Sequence, residues 1–278
     1  MNRVVALLGL VLAIVSCDRT GPVDYVEWHF TAPSTKAELS SSGAFSWSAG
    51  DEIAVWNAAS GAFVKFASAS GSSVFSASAP ADAHFTGAAY FPYDNVSDKG
   101  SASSTFTLPS SYNVGDCDSG TGLIAMYAPV NEGSDVLRFK HQCAYLTVQV
   151  ENAPATLSSL VVRGDGIALS GDFALTDASG ARVIQAASGD GSVTINFSLS
   201  GPRSILQFTI PVPVGNYAVS YSAYEGAEEI MAKSTDEVSF TRAHLYKLNP
   251  ADPAAQGQIS FVGCESYTLS EDSQNWIF

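Results

Sequence analysis

The chain has 278 residues, and its 13 lysines and arginines stand against 27 aspartates and glutamates, which gives a net charge of −14 at pH 7. This acidic balance argues against a nucleic-acid partner, because binding to a phosphate backbone depends on clustered Lys and Arg. A hydrophobic fraction of 46% with only 14% charged residues excludes an intrinsically disordered chain, so the protein should fold into one large domain or two ordinary ones.

The N-terminus carries a short apolar run, residues 4–15, behind the positive charge of Arg3. Its twelve residues are too few for a helix that crosses a bilayer, which takes about 20, so the run predicts an export signal. The following Ser16-Cys17 resembles the end of a bacterial lipobox, in which the cysteine thiol receives a lipid that holds the protein on a membrane. We interpret residues 1–16 as a lipoprotein signal peptide, with an ordinary secretory signal as the alternative.

Alternation of apolar and polar residues is visible along much of the chain and predicts β-strands with one buried face. In 193–200 every odd position is apolar. The pattern returns in 206–223, where Gly215-Asn216 is a favourable tight-turn pair, so we expect a β-hairpin with an edge or an exit at Pro211 and Pro213. Shorter strands are predicted at five further places: 53–56, 63–66, 160–162, 238–240 and 245–248.

The apolar face changes sides within the segment 137–150. Leu137 and Phe139 occupy odd-numbered positions, whereas the alternating apolar residues of 144–150 occupy even-numbered positions. Since successive side chains of a strand point to opposite faces, the change indicates a β-bulge or a crossing between two cores near His141.

The predicted strands are short and numerous, and no part of the chain after the signal carries a clean helical stripe. This pattern favours β-sandwiches over an α/β fold. We therefore predict an all-β protein with an N-terminal sandwich at 17–133 and a C-terminal sandwich at 134–250. The tail, 251–278, is predicted to be an exchange strand, placed in this chain or in a neighbour, or the start of a truncated module.

Several short motifs follow one another along the chain and together carry a family resemblance. They are Thr35-Lys36-Ala37, the segment 45–55 that contains Trp47, Gly50 and Asp51, the segment 88–92 that contains Tyr90 and Pro92, the segment 137–146 that contains Phe139 and His141, and the later segments 169–173, 212–217 and 240–246. In this order they resemble the fimbrillin family of Bacteroidetes, the FimA/Mfa-like type V pilin superfamily, over about residues 17–250. The resemblance gives the named motif residues from Trp47 to His141 a structural role. Gly50 and Asp51 are also expected to form a turn after Trp47, because Gly50 can take a positive φ and Asp51 can accept a backbone N–H.

The resemblance implies two tandem transthyretin-like β-sandwich domains, lipid attachment at Cys17, and a place at the cell outer membrane as a surface-exposed lipoprotein or pilus. It also implies assembly with other pilin subunits by β-strand complementation, in support of adhesion. A sandwich that lacks one strand exposes an apolar groove and unpaired backbone groups, and a strand from the next subunit completes it. Repeated head to tail, this contact does not close and makes a filament.

In the family a trypsin-like protease opens the groove by removing the N-terminal strand together with its lipid. The early basic residues Arg19 and Lys36 are the candidate processing positions in this chain. A subunit that kept its lipid on Cys17 would instead serve as an anchor or an accessory surface protein. A further alternative is a surface lipoprotein that binds a glycan or host ligand without polymerising.

The sequence contains no motif of a metalloprotease, a serine hydrolase or a phosphate-binding loop, and its four histidines are widely dispersed. We therefore predict a protein without enzymatic activity, with no catalytic residue, no cofactor and no metal site. Cys143 lies in an apolar strand and is expected to be a small buried residue, whereas the pairing of Cys117 and Cys264 stays open. Arg163-Gly164-Asp165 spells an integrin-type tripeptide, although Gly164 and the glycine after Asp165 already explain a turn.

Overall fold

The computed structural model describes residues 23–32, 47–102, 105–178, 180–254, 260–261 and 263–269. The predicted signal at 1–16, the lipid position Cys17, both processing positions, Arg19 and Lys36, and the last residue, Phe278, lie outside this part of the chain. The described residues form 23 β-strands and one 3-10 helix, so the all-β prediction is confirmed. None of the described segments is a helix long and apolar enough to cross a membrane.

The described strands are two to ten residues long, and ten of them precede residue 142: β1 Tyr25–Thr31, β2 Glu52–Asn57, β3 Ala62–Ala67, β4 Val74–Pro80, β5 Phe85–Phe91, β6 Thr105–Leu108, β7 Ser111–Gly115, β8 Ser119–Thr121, β9 Met126–Val130 and β10 Lys140–His141. Thirteen follow: β11 Ala144–Ala153, β12 Ser159–Gly164, β13 Gly171–Ala178, β14 Ala181–Ile184, β15 Val193–Phe197, β16 Arg203–Val212, β17 Gly215–Tyr217, β18 Val219–Glu225, β19 Glu228–Ser234, β20 Val238–Phe240, β21 His244–Leu248, β22 Ser260–Phe261 and β23 Cys264–Thr268. The five segments predicted as shorter strands are confirmed as β2, β3, β12, β20 and β21. The 3-10 helix is Tyr93–Asn95.

The first half of the chain builds a seven-stranded sheet in the order β1-β4-β3-β2-β5-β9-β10. Its buried side chains, among them Ile53, Phe66 and Tyr90, belong to one hydrophobic core. In β2 three successive residues, Ile53, Ala54 and Val55, are fully buried. Because successive side chains point to opposite faces, the centre of this sheet must be covered on both sides.

The second half builds a five-stranded sheet, β23-β21-β11-β16-β8, and a six-stranded sheet, β22-β19-β18-β12-β15-β7. Their inward side chains form a second core, to which Leu146 contributes from one sheet and Leu160 and Ile195 from the other. The alternation predicted for β15 is confirmed, since Val193, Ile195 and Phe197 are buried and the residues between them are only partly buried.

The chain passes from one core to the other just before β11. Leu137 and Phe139 are buried in the first core, whereas Leu146 is buried in the second. Of the two explanations for the change of parity, the structure therefore shows a crossing between cores. β10 still pairs with β9 of the seven-stranded sheet, which places 137–141 with the first core. The division after residue 133 stays a prediction.

Each half of the chain contributes short strands to the sheets of the other half. The order of the predicted strands along the sequence does not indicate this exchange. β7 and β8 come from the first half but pair in parallel with β15 and β16 of the second. In turn, β13 of the second half pairs with β6, and Phe173 and Ile184 enter the first core. The two cores are therefore joined by exchanged strands as well as by the chain crossing.

The hairpin predicted over 206–223 is wrong. β16 pairs with β11 and β8 in the five-stranded sheet, whereas β18 pairs with β12 and β19 in the six-stranded sheet. Between them β17 pairs with β20, so Gly215-Asn216 lies in a short strand and not in a tight turn. A period of two reports which face is buried and not which strands are partners. The predicted exit is confirmed, because β16 ends at Val212, between Pro211 and Pro213.

The tail adds two strands to this chain's own second half. β22 pairs in parallel with β19 and β23 pairs antiparallel with β21, so both lie at sheet edges. In β23 four of the five side chains are exposed, whereas Leu269 just after it is buried in the first core. The role of the tail as an exchange strand stays a prediction, and residues 270–278 lie outside the described part.

We expect Ile195→Ala to lower the free energy of unfolding by about 2–5 kcal/mol, because it creates a cavity at a fully buried position of the second core. Thr194→Ala, on the opposite face of the same strand, is the matched control and should lower it by less than about 1 kcal/mol. Urea unfolding followed by circular dichroism measures both variants. Equal losses would contradict the orientation of β15.

Candidate functional site

The edge strand β1 is the first candidate site, because the family resemblance gives a function to the N-terminal strand. β1 pairs antiparallel with β4 over its whole length. At its end the backbone of Thr31 donates to Asp135 at 2.7 Å and accepts from Leu137 at 2.8 Å. Along the rest of its outer edge, β1 has no strand partner among the described residues.

The inner face of β1 carries two aromatic rings. Phe30 is buried, and its ring packs edge to face against Phe66 and Phe85, with centroids 5.1 and 5.7 Å away. Trp28 packs in the same way on Phe85 at 5.1 Å, and its indole N–H donates to the carbonyl oxygen of Pro80 at 3.2 Å. Loss of β1 would therefore uncover aromatic surface on β3 and β5 and leave the backbone of β4 unpaired on that side.

The same edge also exposes apolar surface. Five large hydrophobic side chains are exposed among the described residues, and four of them lie on or beside β1: Val23, Tyr25, Val26 and Val74. The most exposed, Tyr25, has 64% of its surface in solvent. Apolar groups clustered on an open strand edge mark a place where another chain can pair.

Trp47, Gly50 and Asp51 form the turn that leads into β2. Gly50 has φ +88°, which a residue with a side chain rarely adopts, and the Asp51 carboxylate accepts the backbone N–H of Ser48 at 2.6 Å. This is the turn geometry expected for both residues. The buried Trp47 indole donates to the carbonyl oxygen of Ala32 at 3.0 Å, one residue beyond β1, so this turn also holds the end of the edge strand.

An aromatic cluster surrounds the Trp47 ring. The rings of Phe75, Phe91 and Phe139 lie edge to face at centroid distances of 4.8, 5.2 and 5.8 Å. The Phe91–Pro92 peptide bond is cis. Three separate motifs of the family resemblance, those of Trp47, Pro92 and Phe139, therefore meet in the first core next to β4.

Tyr90 is fully buried in the same core, and its hydroxyl accepts a hydrogen bond from the Arg182 guanidinium at 2.6 Å. The central carbon of the Arg182 guanidinium also lies 5.9 Å from the centre of the Tyr127 ring. Tyr127 of β9 is the register partner of Tyr90 of β5. Arg182 belongs to β14, from the second half of the chain. Tyr90 therefore binds an exchanged segment and is not accessible to a ligand.

His141 lies fully buried at the crossing between the cores. Its Nδ1 is 2.8 Å from the Tyr145 hydroxyl, which in turn is 3.4 Å from the carbonyl oxygen of Ala125. Arg242 donates to the carbonyl oxygen of His141 at 3.2 Å. Burial, reinforced by the charge of Arg242, lowers the pKa of His141 to about 3, so the ring is neutral at pH 7. A neutral, enclosed ring of this kind can fix the crossing by hydrogen bonding.

Gln142, which no sequence pattern singled out, lies at the same crossing. Its side chain is fully buried, and neither its amide nitrogen nor its amide oxygen has a hydrogen-bond partner in the described part of the chain. Its backbone joins two elements, because its N–H donates to Ala125 at 2.9 Å and its carbonyl accepts from Ile184 at 2.7 Å. The sequence offers only one indication of this role: Gln142 is a polar residue at the point where the apolar positions change from odd to even numbers.

Cys117, Cys143 and Cys264 are all free thiols. Cys143 is buried, as predicted, and burial raises the pKa of its thiol to about 12. Cys117 and Cys264 are both exposed and unpaired, so the pairing that the sequence left open does not occur in this structure. No group of three or more His, Cys, Asp or Glu side chains within the described ranges is placed to hold a metal ion.

The fold is similar to that of a candidate cell adhesion protein from Bacteroides ovatus, with a TM-score of 0.54 at 15% identity over 92% of this chain and 99% of that one. A candidate cell adhesion protein from Parabacteroides distasonis gives a TM-score of 0.37 at 9% identity over 87% and 96% of the two chains. The C-terminally truncated tip fimbrial protein Mfa3 from Porphyromonas gingivalis gives 0.41 at 10% identity over 88% and 99%. The first comparison shows a shared fold.

No family model matches the sequence, and no curated protein matches it. The fold is shared with a candidate cell adhesion protein. At this level of identity the fold does not assign a function, which must be inferred from the open edge at β1, from the tail and from the exposed surface.

We expect acid to destabilise the protein through His141. Its folded-state pKa of about 3 lies below the unfolded value near 6.5, so the unfolded state binds the proton first and stability falls as the pH drops from 6.5 towards 3. The slope has an upper bound of about 1.4 kcal/mol per pH unit. His141→Gln does not titrate and should lose less stability between pH 7 and pH 4.5 in urea unfolding. An equal pH dependence in both proteins would contradict this role of His141.

Proposed function

We propose that this protein is a fimbrillin-like surface lipoprotein that acts in adhesion as a structural or accessory subunit of type V pili, assembled by strand exchange. The observation that carries the proposal is the position of β1, an edge strand that covers aromatic surface and pairs with one strand only among those described. The fold shared with a candidate cell adhesion protein supports a place at the cell surface. In this role the protein needs no catalytic site.

In the proposed exchange, a strand from another subunit takes the place of β1. Departure of β1 uncovers the rings of Phe66 and Phe85 and the outer edge of β4. An incoming extended segment with apolar residues at alternate positions can pair with β4 and return a large side chain to the site of Phe30. The backbone hydrogen bonds between the incoming strand and β4 supply affinity, and the pocket left by Phe30 fixes the register of the pairing.

The tail is the proposed donor strand. β23 lies at a sheet edge with most of its own side chains exposed, so its release from β21 requires only the following Leu269 to leave the first core. The sequence beyond it carries Trp276-Ile277-Phe278. Large apolar side chains of this kind match the chemistry of a groove lined by aromatic rings.

Lipid on Cys17 is the proposed attachment to the outer membrane. A net charge of −14 opposes close contact between the folded part and anionic lipid, so the protein should project away from the bilayer. A subunit cut after Lys36 would lose both the lipid and the link to β1, and could join a shaft. A subunit that escapes the cut would stay on the membrane as an anchor or accessory protein.

A disulfide lock between β1 and β4 tests the exchange directly. His29 and Ser76 are register partners whose side chains hydrogen-bond at 2.9 Å, so His29→Cys combined with Ser76→Cys should form a disulfide on oxidation. Mild trypsin should cut the wild type after Lys36, release β1 and allow filaments to form. The locked protein should be cut at the same place but should form filaments only after reduction, because β1 then becomes free to leave.

Intact mass spectrometry identifies the cut, and electron microscopy detects the filaments. The two single-cysteine variants are the matched controls and should assemble equally well with and without reductant. Lys36→Gln should resist the productive cut and stay monomeric, whereas Arg19→Gln should behave like the wild type. Filaments from the oxidised, locked protein, or a wild type that stays monomeric after it has lost β1, would contradict strand exchange.

Cys17→Ser should abolish lipid attachment and move the protein from the membrane fraction to the soluble fraction. The physical reason is that the acyl chains, and not the acidic protein surface, supply the membrane affinity. Mass spectrometry of the N-terminal peptide measures the lipid, and Cys117→Ser, at an exposed free thiol, is the control that should keep it. An unmodified Cys17 thiol in the wild-type protein would contradict the lipoprotein assignment and favour an ordinary secretory signal.

A further inference from the structure

A pocket of about 450 Å³ opens at one end of the six-stranded sheet, where β12, β18 and β19 lie side by side. Its polar lining includes Arg163, Asp165, Ser220, Ser234 and Thr235. The volume falls within the range of about 300–1,000 Å³ that is typical of small-molecule sites. The pocket therefore has room for a small ligand.

Three of the lining residues form a row across the sheet. Arg163 of β12 is the register partner of Ser220 of β18, and Ser220 is the register partner of Ser234 of β19. Directly opposed residues share a face, with their Cβ atoms about 5 Å apart. Val162 and Val219, the neighbours along these strands, are buried in the second core. The row must then face outwards, and it presents a guanidinium and two hydroxyl groups to the pocket.

The polar groups of this pocket are open to a ligand. The side chains of Arg163, Asp165, Ser220 and Ser234 make no hydrogen bond or ion pair with any residue in the described ranges. Arg163 and Asp165 stand two positions apart and carry opposite charges, yet within the described structure they do not pair with each other. The pocket therefore offers hydrogen-bond donors and an anionic acceptor side by side, while its own charges cancel.

The backbone around the pocket is held firmly. Two hydrogen bonds join Val219 and Thr235. The Val219 N–H donates to Thr235 Oγ1 at 3.0 Å, and the Thr235 N–H donates to the Val219 carbonyl oxygen at 2.8 Å. The Asp165 N–H donates to the carbonyl of Ala218 at 2.9 Å. A Cβ at Gly164, the last residue of β12, would lie 3.0 Å from the carbonyl oxygen of Ile167, a tight approach that favours glycine there. The site is thus preorganised, which lowers the entropic cost of binding.

We propose that this pocket binds a neutral, hydroxyl-rich ligand: one sugar unit of a surface glycan. Neighbouring sugar hydroxyls can accept from the Arg163 guanidinium and donate to the Asp165 carboxylate, with Ser220 and Ser234 completing the hydrogen bonds. A small ion would satisfy one of the two charges and be repelled by the other. The net charge of −14 disfavours an anion further. The turn at Arg163-Gly164-Asp165 then serves as one wall of a sugar site.

Calorimetry and saturation-transfer NMR on the full chain test the proposal, with the methyl glycosides of glucose, galactose, mannose and N-acetylglucosamine as probes. At least one of them should bind at millimolar concentration. Arg163→Gln and Asp165→Asn should each weaken that binding by about tenfold or more, because each removes a charge-assisted hydrogen bond. Arg138→Gln and Asp190→Asn, at exposed positions outside the pocket, are the matched controls and should bind like the wild type.

The expected result includes unchanged unfolding midpoints in both pocket variants, so that lost binding cannot come from lost structure. Glucuronic and N-acetylneuraminic acid are tested beside the neutral panel. Three outcomes would overturn the proposal: no sugar binds, binding survives both pocket substitutions, or only the two acids bind. The last outcome would mean that Arg163 selects a carboxylate and that the pocket is not built for a neutral sugar. None of these outcomes depends on whether the protein forms filaments.

Discussion

The passage of the chain between two hydrophobic cores is the constraint on which the rest of the structure depends. Phe139 is buried in one core and Leu146 in the other, and the three residues His141, Gln142 and Cys143 between them are all buried as well. β11 starts directly after this passage and then runs through the middle of the five-stranded sheet, between β16 and β21. A slip of one residue at the crossing would turn Leu146, Val148 and Val150 of β11 away from the second core, so the crossing sets the register of the second half.

A buried crossing needs hydrogen-bond partners for its polar groups, since an unpaired buried group costs about 1–3 kcal/mol. His141 finds a partner in the Tyr145 hydroxyl, and the Gln142 backbone joins Ala125 and Ile184. The buried side-chain amide of Gln142 is the exception, because it has no partner among the described residues. The exchanged strands β7, β8 and β13 add further contacts between the halves. The residues at this crossing therefore maintain the fold, and the proposed functional surfaces lie elsewhere.

Those surfaces are found at the edges of the sheets. β1 and β23 are edge strands with an unpaired side among the described residues, and the Arg163 pocket lies where three strands end. Edges and strand ends are the parts of a β-sandwich whose backbone and side-chain groups are not used up by the fold. The proposed strand exchange would open the first core at Phe30, whereas the proposed ligand pocket lies at the end of another sheet and does not require either core to open.

By itself the sequence determined the strand content, the buried face of β15, the turn at Gly50, the burial of Cys143 and the change of parity before β11. Each of these depends on local periodicity or on the backbone preference of single residues, which are readable along the chain. Only the tertiary structure decided that 206–223 spans two sheets, that β7 and β8 join the second half, and that Arg163 stands in a row with Ser220 and Ser234. Strand pairing joins residues far apart in sequence, and a period of two is the same whichever strand lies alongside.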